Sequence, residues 1–210
     1  RSKYLYDAWI THTHDNPFYV APGYSLLLYA SFLMGELSLY SARLVSVLSG
    51  TLTVLVLWVY LKRNGNLRIA NSGAGFLAIC GMHIIYSRLV MAEVTLTLLL
   101  MVVLLLWGER KRAGFAVLSG AVFAGMFVVK LSAIYFAPML LILFSLEAAR
   151  EELRRKDFLQ FLVGSMAVGV IFVVFFVMPN QKQFLYWNVS FPLTYTEGIT
   201  FKSVLEVLIF

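Results

Sequence analysis

An all-α, polytopic transmembrane helical bundle with an amphipathic juxtamembrane helix on its outer face is the architecture to expect from these 210 residues. Three observations lead there. Hydrophobic residues make up 60% of the chain and charged ones 13%, with a mean hydropathy of +0.82, against roughly 45–50% and about 25% in soluble domains. Apolar runs approaching about 20 residues recur along it, the length that crosses a bilayer. The charges between those runs are clustered and basic. The connections at 62–68 (KRNGNLR), 108–114 (GERKRAG) and 147–157 (EAAREELRRKD) hold ten of the seventeen Lys and Arg. They alternate with three nearly uncharged connections, so the positive-inside rule puts the basic ones in the cytoplasm. A net charge of +6 gathered at helix ends is a topology signal rather than a nucleic-acid surface, and no nucleic-acid partner is expected.

Taken in order, residues 1–21 read as an outer, polar and aromatic loop. Residues 22–37 follow as the juxtamembrane helix, started by Pro22 and stopped by Gly35. Its apolar core, PGYSLLLYASFLMG, is too short to span comfortably, and counting it as a span would upset the alternation. Spans are then expected at 41–61, 69–86, 92–107, 113–131, 133–148 and 158–178, with 92–107 and 133–148 short, and a second outer loop at 179–198. Small residues every fourth position, Ala70, Ala74 and Ala78, then Ala121 and Gly125, predict close helix packing. The single cysteine, Cys80, excludes an intrachain disulfide and a Cys-based zinc site. The chain opens on Arg1 rather than Met and closes inside the apolar stretch FKSVLEVLIF; it reads as an N-terminally truncated piece of a longer multi-pass membrane protein, one transmembrane module over 1–210.

Some charges fall outside the basic clusters. Arg43, Arg88 and Lys130 sit where separate spans meet the outer boundary, Glu93 joins them, and His83 lies about one turn inside. Charged groups at membrane depth cost roughly 2.5–3.5 kcal/mol each on insertion scales and usually face a protein interior or a water-filled cavity. A shared anion pocket accounts for all four charges; the competing account has each one snorkel to the headgroups and pair locally. Arg suits a phosphate bidentately and Lys as a point charge. With no Gly-rich nucleotide cradle in the chain, the phosphate that fits this depth is that of a lipid-linked sugar. Arg88 and Glu93 are too far apart to share a helix face. The chain is therefore expected to turn between them, ending one span near Ser87 and starting the next near Ala92, with Glu93 in a first helical turn.

Four segments carry a resemblance to a known family. NPFYVAPGYSLLLYASFLMG resembles a proline-led outer juxtamembrane helix, YSARLVSVLSGTLTVLVLWVYLKR the span that follows it, HIIYSRLVMAEVTLTLL a second acidic motif, and GMFVVKLSAIYFAP a span ending in lysine. In order and sidedness they resemble the GT-C superfamily of integral-membrane glycosyltransferases, in its branch of protein O-mannosyltransferases and bacterial aminoarabinose transferases. The resemblance implies transfer of a sugar from a polyprenyl-phosphate donor to a protein, lipid or glycan acceptor, in contact with membrane lipids. The face is extracytoplasmic, in the cell membrane or, in a eukaryote, the lumenal side of the endoplasmic reticulum. Arg88 and Lys130 are then the first candidates for the donor phosphate and Arg43 the third, because the leaving phosphate needs positive charge where its own develops. Glu93 is the candidate catalytic carboxylate.

Two departures from the family pattern stand out. Its first acidic motif, the usual source of the base, would lie before Arg1. Where the family often has Lys-Pro or His-Pro, this chain has Val20-Ala21-Pro22. A divalent metal cation is the one cofactor the residues could hold, on His12, His14 and Asp15 or on Glu93, although Asp15-Asn16-Pro17 is also a good turn. Asp7 is a further outer carboxylate, and Asn188-Val189-Ser190 matches a glycosylation acceptor. The alternative function is a transporter or flippase for an anionic lipid-linked solute; broken helices near mid-membrane and repeated halves would mark it.

Overall fold

The computed structural model describes residues 22–150 and 152–185. Residues 21–172 form one compact unit; the described part of the other, 173–185, is a π-helical turn (Val173–Val177), a 3-10 turn (Met178–Asn180) and a short helix (Gln181–Leu185). All regular structure among the described residues is helical, as expected for a membrane bundle.

Helix α1 (Pro22–Met34) begins at the proline whose fixed φ suits a first turn. Ser38 caps α2 (Leu39–Asn64), its hydroxyl accepting from the Ser41 N–H, and Lys62 and Arg63 close that helix against its dipole. Asn66 caps α3 (Leu67–Ile79) in the same way through Ile69 N–H. The chain continues through α4 (Gly81–Arg88), α5 (Ala92–Gly108), α6 (Phe115–Val129), a 3-10 turn (Leu131–Tyr135), α7 (Ala137–Arg150) and α8 (Glu152–Phe172). Gly114, at φ 83°, makes the left-handed turn into α6 that a side chain would strain.

Among the described residues two helical segments, Leu39–Asn64 and Arg155–Val177, are long and apolar enough to cross a membrane. A third crossing needs α3 and α4 together, and these are bent by 58° at Cys80. Sequence periodicity treats 69–86 as one straight span, but Cys80 is extended (ψ 116°) and Gly81 follows it, so the helix stops and restarts. The apolar helices Ala92–Gly108 and Phe115–Val129 have 17 and 15 residues, at or below the short end of the roughly 17–25 that span a bilayer. The 113–131 run loses its ends because Gly114 turns left-handed and Lys130 is extended (φ −160°, ψ 128°).

The core lies among α5, α6, α7 and α8. Trp107 stacks on Phe144 with ring centroids 4.1 Å apart, and Phe161 meets both edge-on. Where α6 crosses α8 the backbones touch. A Cβ on Gly120 would overlap the Phe161 carbonyl oxygen, and one on Gly164 the Val117 carbonyl oxygen. The Ser165 hydroxyl donates to the Gly120 and Phe161 carbonyls at 3.1 and 2.9 Å. The expected small-residue stripes hold only in part. Ala70 and Ala74 are buried, but Ala78 is exposed, and a Cβ on Gly125 would meet nothing within 4 Å.

Ion pairs gather the basic connections at one end of the bundle. Glu109 takes Arg63 at 2.7 Å and Arg112 at 3.1 Å, while Arg110 reaches Asp157 at 3.9 Å and lies over the Trp107 ring. Since α5 runs from Glu93 to that end and α6 returns from it to Lys130, Glu93 and Lys130 sit together at the opposite end.

Candidate functional site at the Glu93–Lys130 end

Helix α1 packs across the end of the bundle that holds Glu93 and Lys130. Gly23 allows this: a Cβ there would come within 2.9 Å of the Val128 carbonyl oxygen at the close of α6. From the next residue, the buried Tyr24 phenol shares a 2.9 Å hydrogen bond with Ser46 on α2; burial raises this phenol above its ordinary value. The Ser46 hydroxyl also meets the Met91 N–H at 3.4 Å. One buried serine thus ties α1 and α2 to the turn that aims Glu93. A second buried pair, Ser49 with Thr95 at 3.0 Å, fixes α5 on α2 one turn deeper.

The chain turns between Arg88, the last residue of α4, and Ala92, the first of α5, so Glu93 stands in a first helical turn. There its carboxylate meets free N–H groups and the positive end of the dipole. Lys130 caps the other side, where α6 gives way to the 3-10 turn. Its ammonium donates directly to the Glu93 carboxylate in an ion pair, with side-chain exposures of 37% and 40%. The pair borders a cavity of about 430 Å³, whose lining also includes His83, Tyr86, Ser132 and Tyr135. That volume is within the roughly 300–1,000 Å³ of small-molecule sites.

The structure brings together two of the four boundary charges. Arg88 and Arg43 are exposed, on the last turn of α4 and the second turn of α2, and neither lines the cavity. His12, His14, Asp15 and Asp7, with Asn188, lie outside the described residues. Among the described residues no group of three or more His, Cys, Asp or Glu could hold a metal ion.

Sequence reasoning passed over the hydroxyl-bearing face of α2. Ser46, Ser49, Gly50 and Thr53 are all buried, and their spacing of three and four is a helical stripe legible as a packing face within an apolar span.

The family model described as dolichyl-phosphate-mannose-protein mannosyltransferase matches residues 15–179. The chain belongs to this family. Comparison with curated proteins and with solved structures returns no match. As a member of the dolichyl-phosphate-mannose-protein mannosyltransferase family, the chain is an integral-membrane glycosyltransferase that uses a dolichyl-phosphate-linked sugar. The match gives the transporter alternative no support. A break such as the one at Cys80 is a feature transporters share, but one bent pair among the described residues is not a repeated architecture.

Proposed function

We propose that the chain transfers a mannosyl residue from its dolichyl-phosphate donor to a protein hydroxyl, at the extracytoplasmic end of the bundle. The match over residues 15–179 carries this reading, and the charged pair beside a cavity supports it. The acceptor oxygen attacks the anomeric carbon as the bond from that carbon to the phosphate oxygen breaks. Negative charge then builds on the departing dolichyl phosphate. Lys130 meets that charge at the cavity, and the exposed Arg88 and Arg43, which do not line it, add positive charge from the ends of α4 and α2. Glu93 orients the acceptor hydroxyl and draws on its proton. The extracytoplasmic assignment rests on the basic connections lying at the other end. A divalent cation, if the reaction uses one, would be held by Glu93 and would offset the charge developing on the leaving phosphate.

Full-length protein reconstituted in sealed vesicles with dolichyl-phosphate-mannose and a Ser/Thr peptide tests this. Mannosyl peptide should form only when the peptide is on the lumenal side, and Lys130→Gln should abolish it. Transfer to a lipid or glycan instead would move the acceptor, and cleavage of the donor by neither route would sink the proposal. Turnover abolished by EDTA and restored by Mn²⁺ would assign the cation to the site.

A further inference from the structure

Helix α4 carries a second polar group into the cavity, and phosphate binding gives it nothing to do. His83 lines the cavity with Glu93 and Lys130, and its Nε2 lies 3.2 Å from the Gly50 carbonyl oxygen on α2. A carbonyl can only accept, so Nε2 carries the proton, and in the neutral ring Nδ1 keeps its lone pair. Nδ1 has no hydrogen-bond partner among the described residues, and it is not among the buried polar atoms that lack one. Nδ1 is therefore an accessible ring nitrogen on a side chain that lines the cavity.

Local sequence builds this arrangement. The bend at Cys80 turns α4 out of line with α3. Gly50 lets α4 come close to α2, since a Cβ there would overlap the Ser87 hydroxyl oxygen. That hydroxyl donates back to the His83 carbonyl at 2.6 Å, closing the same turn of α4. The ring is held by one nitrogen and offers the other.

A lone pair on a cavity-lining side chain selects its partner by chemistry. In the neutral ring that lone pair repels the acceptor oxygens of a phosphodiester. A hydroxyl donates to the lone pair. Hydroxyls are what the reaction of this site supplies, on the sugar of the donor and on the acceptor residue. We propose that His83 contacts substrate: Nδ1 accepts a hydrogen bond from a substrate hydroxyl and fixes that hydroxyl beside Glu93 and Lys130. This rests on the mannosyl-transfer reading and adds a specificity contact to it.

Two variants separate this role from a purely structural contact with α2. His83→Gln places an amide donor near the Nε2 position and keeps the Gly50 contact while removing the acceptor at Nδ1. His83→Asn places an oxygen near Nδ1 and gives up the Gly50 contact. Steady-state transfer by the full-length protein should show KM raised about three- to tenfold in His83→Gln, with His83→Asn closer to wild type. A rise in KM for dolichyl-phosphate-mannose assigns the sugar hydroxyl; a rise for the peptide assigns the acceptor hydroxyl. Binding of dolichyl phosphate, which has no sugar, should stay at the wild-type level in both variants and reports a folded site. Wild-type KM values for both substrates in His83→Gln would overturn the proposal, as would loss of dolichyl phosphate binding in both variants; either makes His83 a helix contact only. A wild-type protein that transfers nothing sinks the mannosyl-transfer reading, and this inference with it.

Discussion

In the proposed site Glu93 occupies the cation assigned to the donor phosphate, so removing its charge should strengthen binding of the phosphate while damaging the chemistry. The perturbation is Glu93→Gln, nearly isosteric and neutral. In the free protein the Lys130 ammonium is bound to the Glu93 carboxylate, and the two side chains are 37% and 40% exposed. At that exposure an ion pair is worth about 0.2–1 kcal/mol, which an incoming phosphate must replace. Freed of it, Lys130 should bind dolichyl phosphate up to about fivefold more tightly. Lys130→Gln removes a charge-assisted hydrogen bond of about 1.5–3 kcal/mol and should weaken binding roughly 10- to 150-fold. Titration of fluorescently labelled dolichyl phosphate into protein in nanodiscs reads both. Turnover of Glu93→Gln should fall by about 100-fold or more if the carboxylate handles the acceptor proton. Weaker binding in Glu93→Gln would refute the competition and recast Glu93 as the group that holds Lys130 in place.

Three further outcomes follow from the geometry. Arg88→Ala should abolish transfer from the lipid-linked donor and weaken its binding, leaving the unfolding temperature near wild type because the side chain is exposed; unchanged transfer would take Arg88 out of the site. Gly120→Ala should lower stability by about 1–3 kcal/mol in a detergent melt, because its Cβ overlaps the Phe161 carbonyl, whereas Gly125→Ala, which meets nothing within 4 Å, should be neutral or mildly stabilising. Single cysteines at Glu36 and Lys111, in a Cys80→Ala background, should be labelled from opposite sides of sealed vesicles; labelling from one side would overturn the topology.

The class of fold was legible because it depends on composition and on the placement of charge, which a bilayer reads without tertiary structure. So was the turn between Arg88 and Glu93, since five residues cannot share a helix face and the chain had to break there. The break at Cys80 was not, because a glycine in an apolar run keeps the hydropathy of a span while losing its continuity. Helix contacts were legible only in part. Ala121 and Gly125 have the spacing of a contact face, and the Ala121 backbone does lie against Gly164, but the closest approach is Gly120 to Phe161 and Gly125 meets nothing within 4 Å. That Glu93 and Lys130 lie at one end was legible from their places at outer span ends, whereas their direct pairing across 37 residues depends on how α5 and α6 pack. His83 stood in view as a polar residue inside a span, but its contact with the Gly50 carbonyl of another helix depends on tertiary packing.

The acidic residues in the basic connections have a consequence for how the protein is made. During insertion each Lys and Arg counts toward orientation while Asp and Glu contribute little, so Glu109 and Asp157 scarcely weaken the signal as the chain emerges. Once the helices assemble, Glu109 clasps Arg63 and Arg112, and Asp157 faces Arg110. Charges that first serve as an address become a buckle, and the finished bundle presents less free charge to the headgroups than the nascent chain did. Replacing those acids with neutral residues would leave the insertion instructions intact and loosen the assembled form.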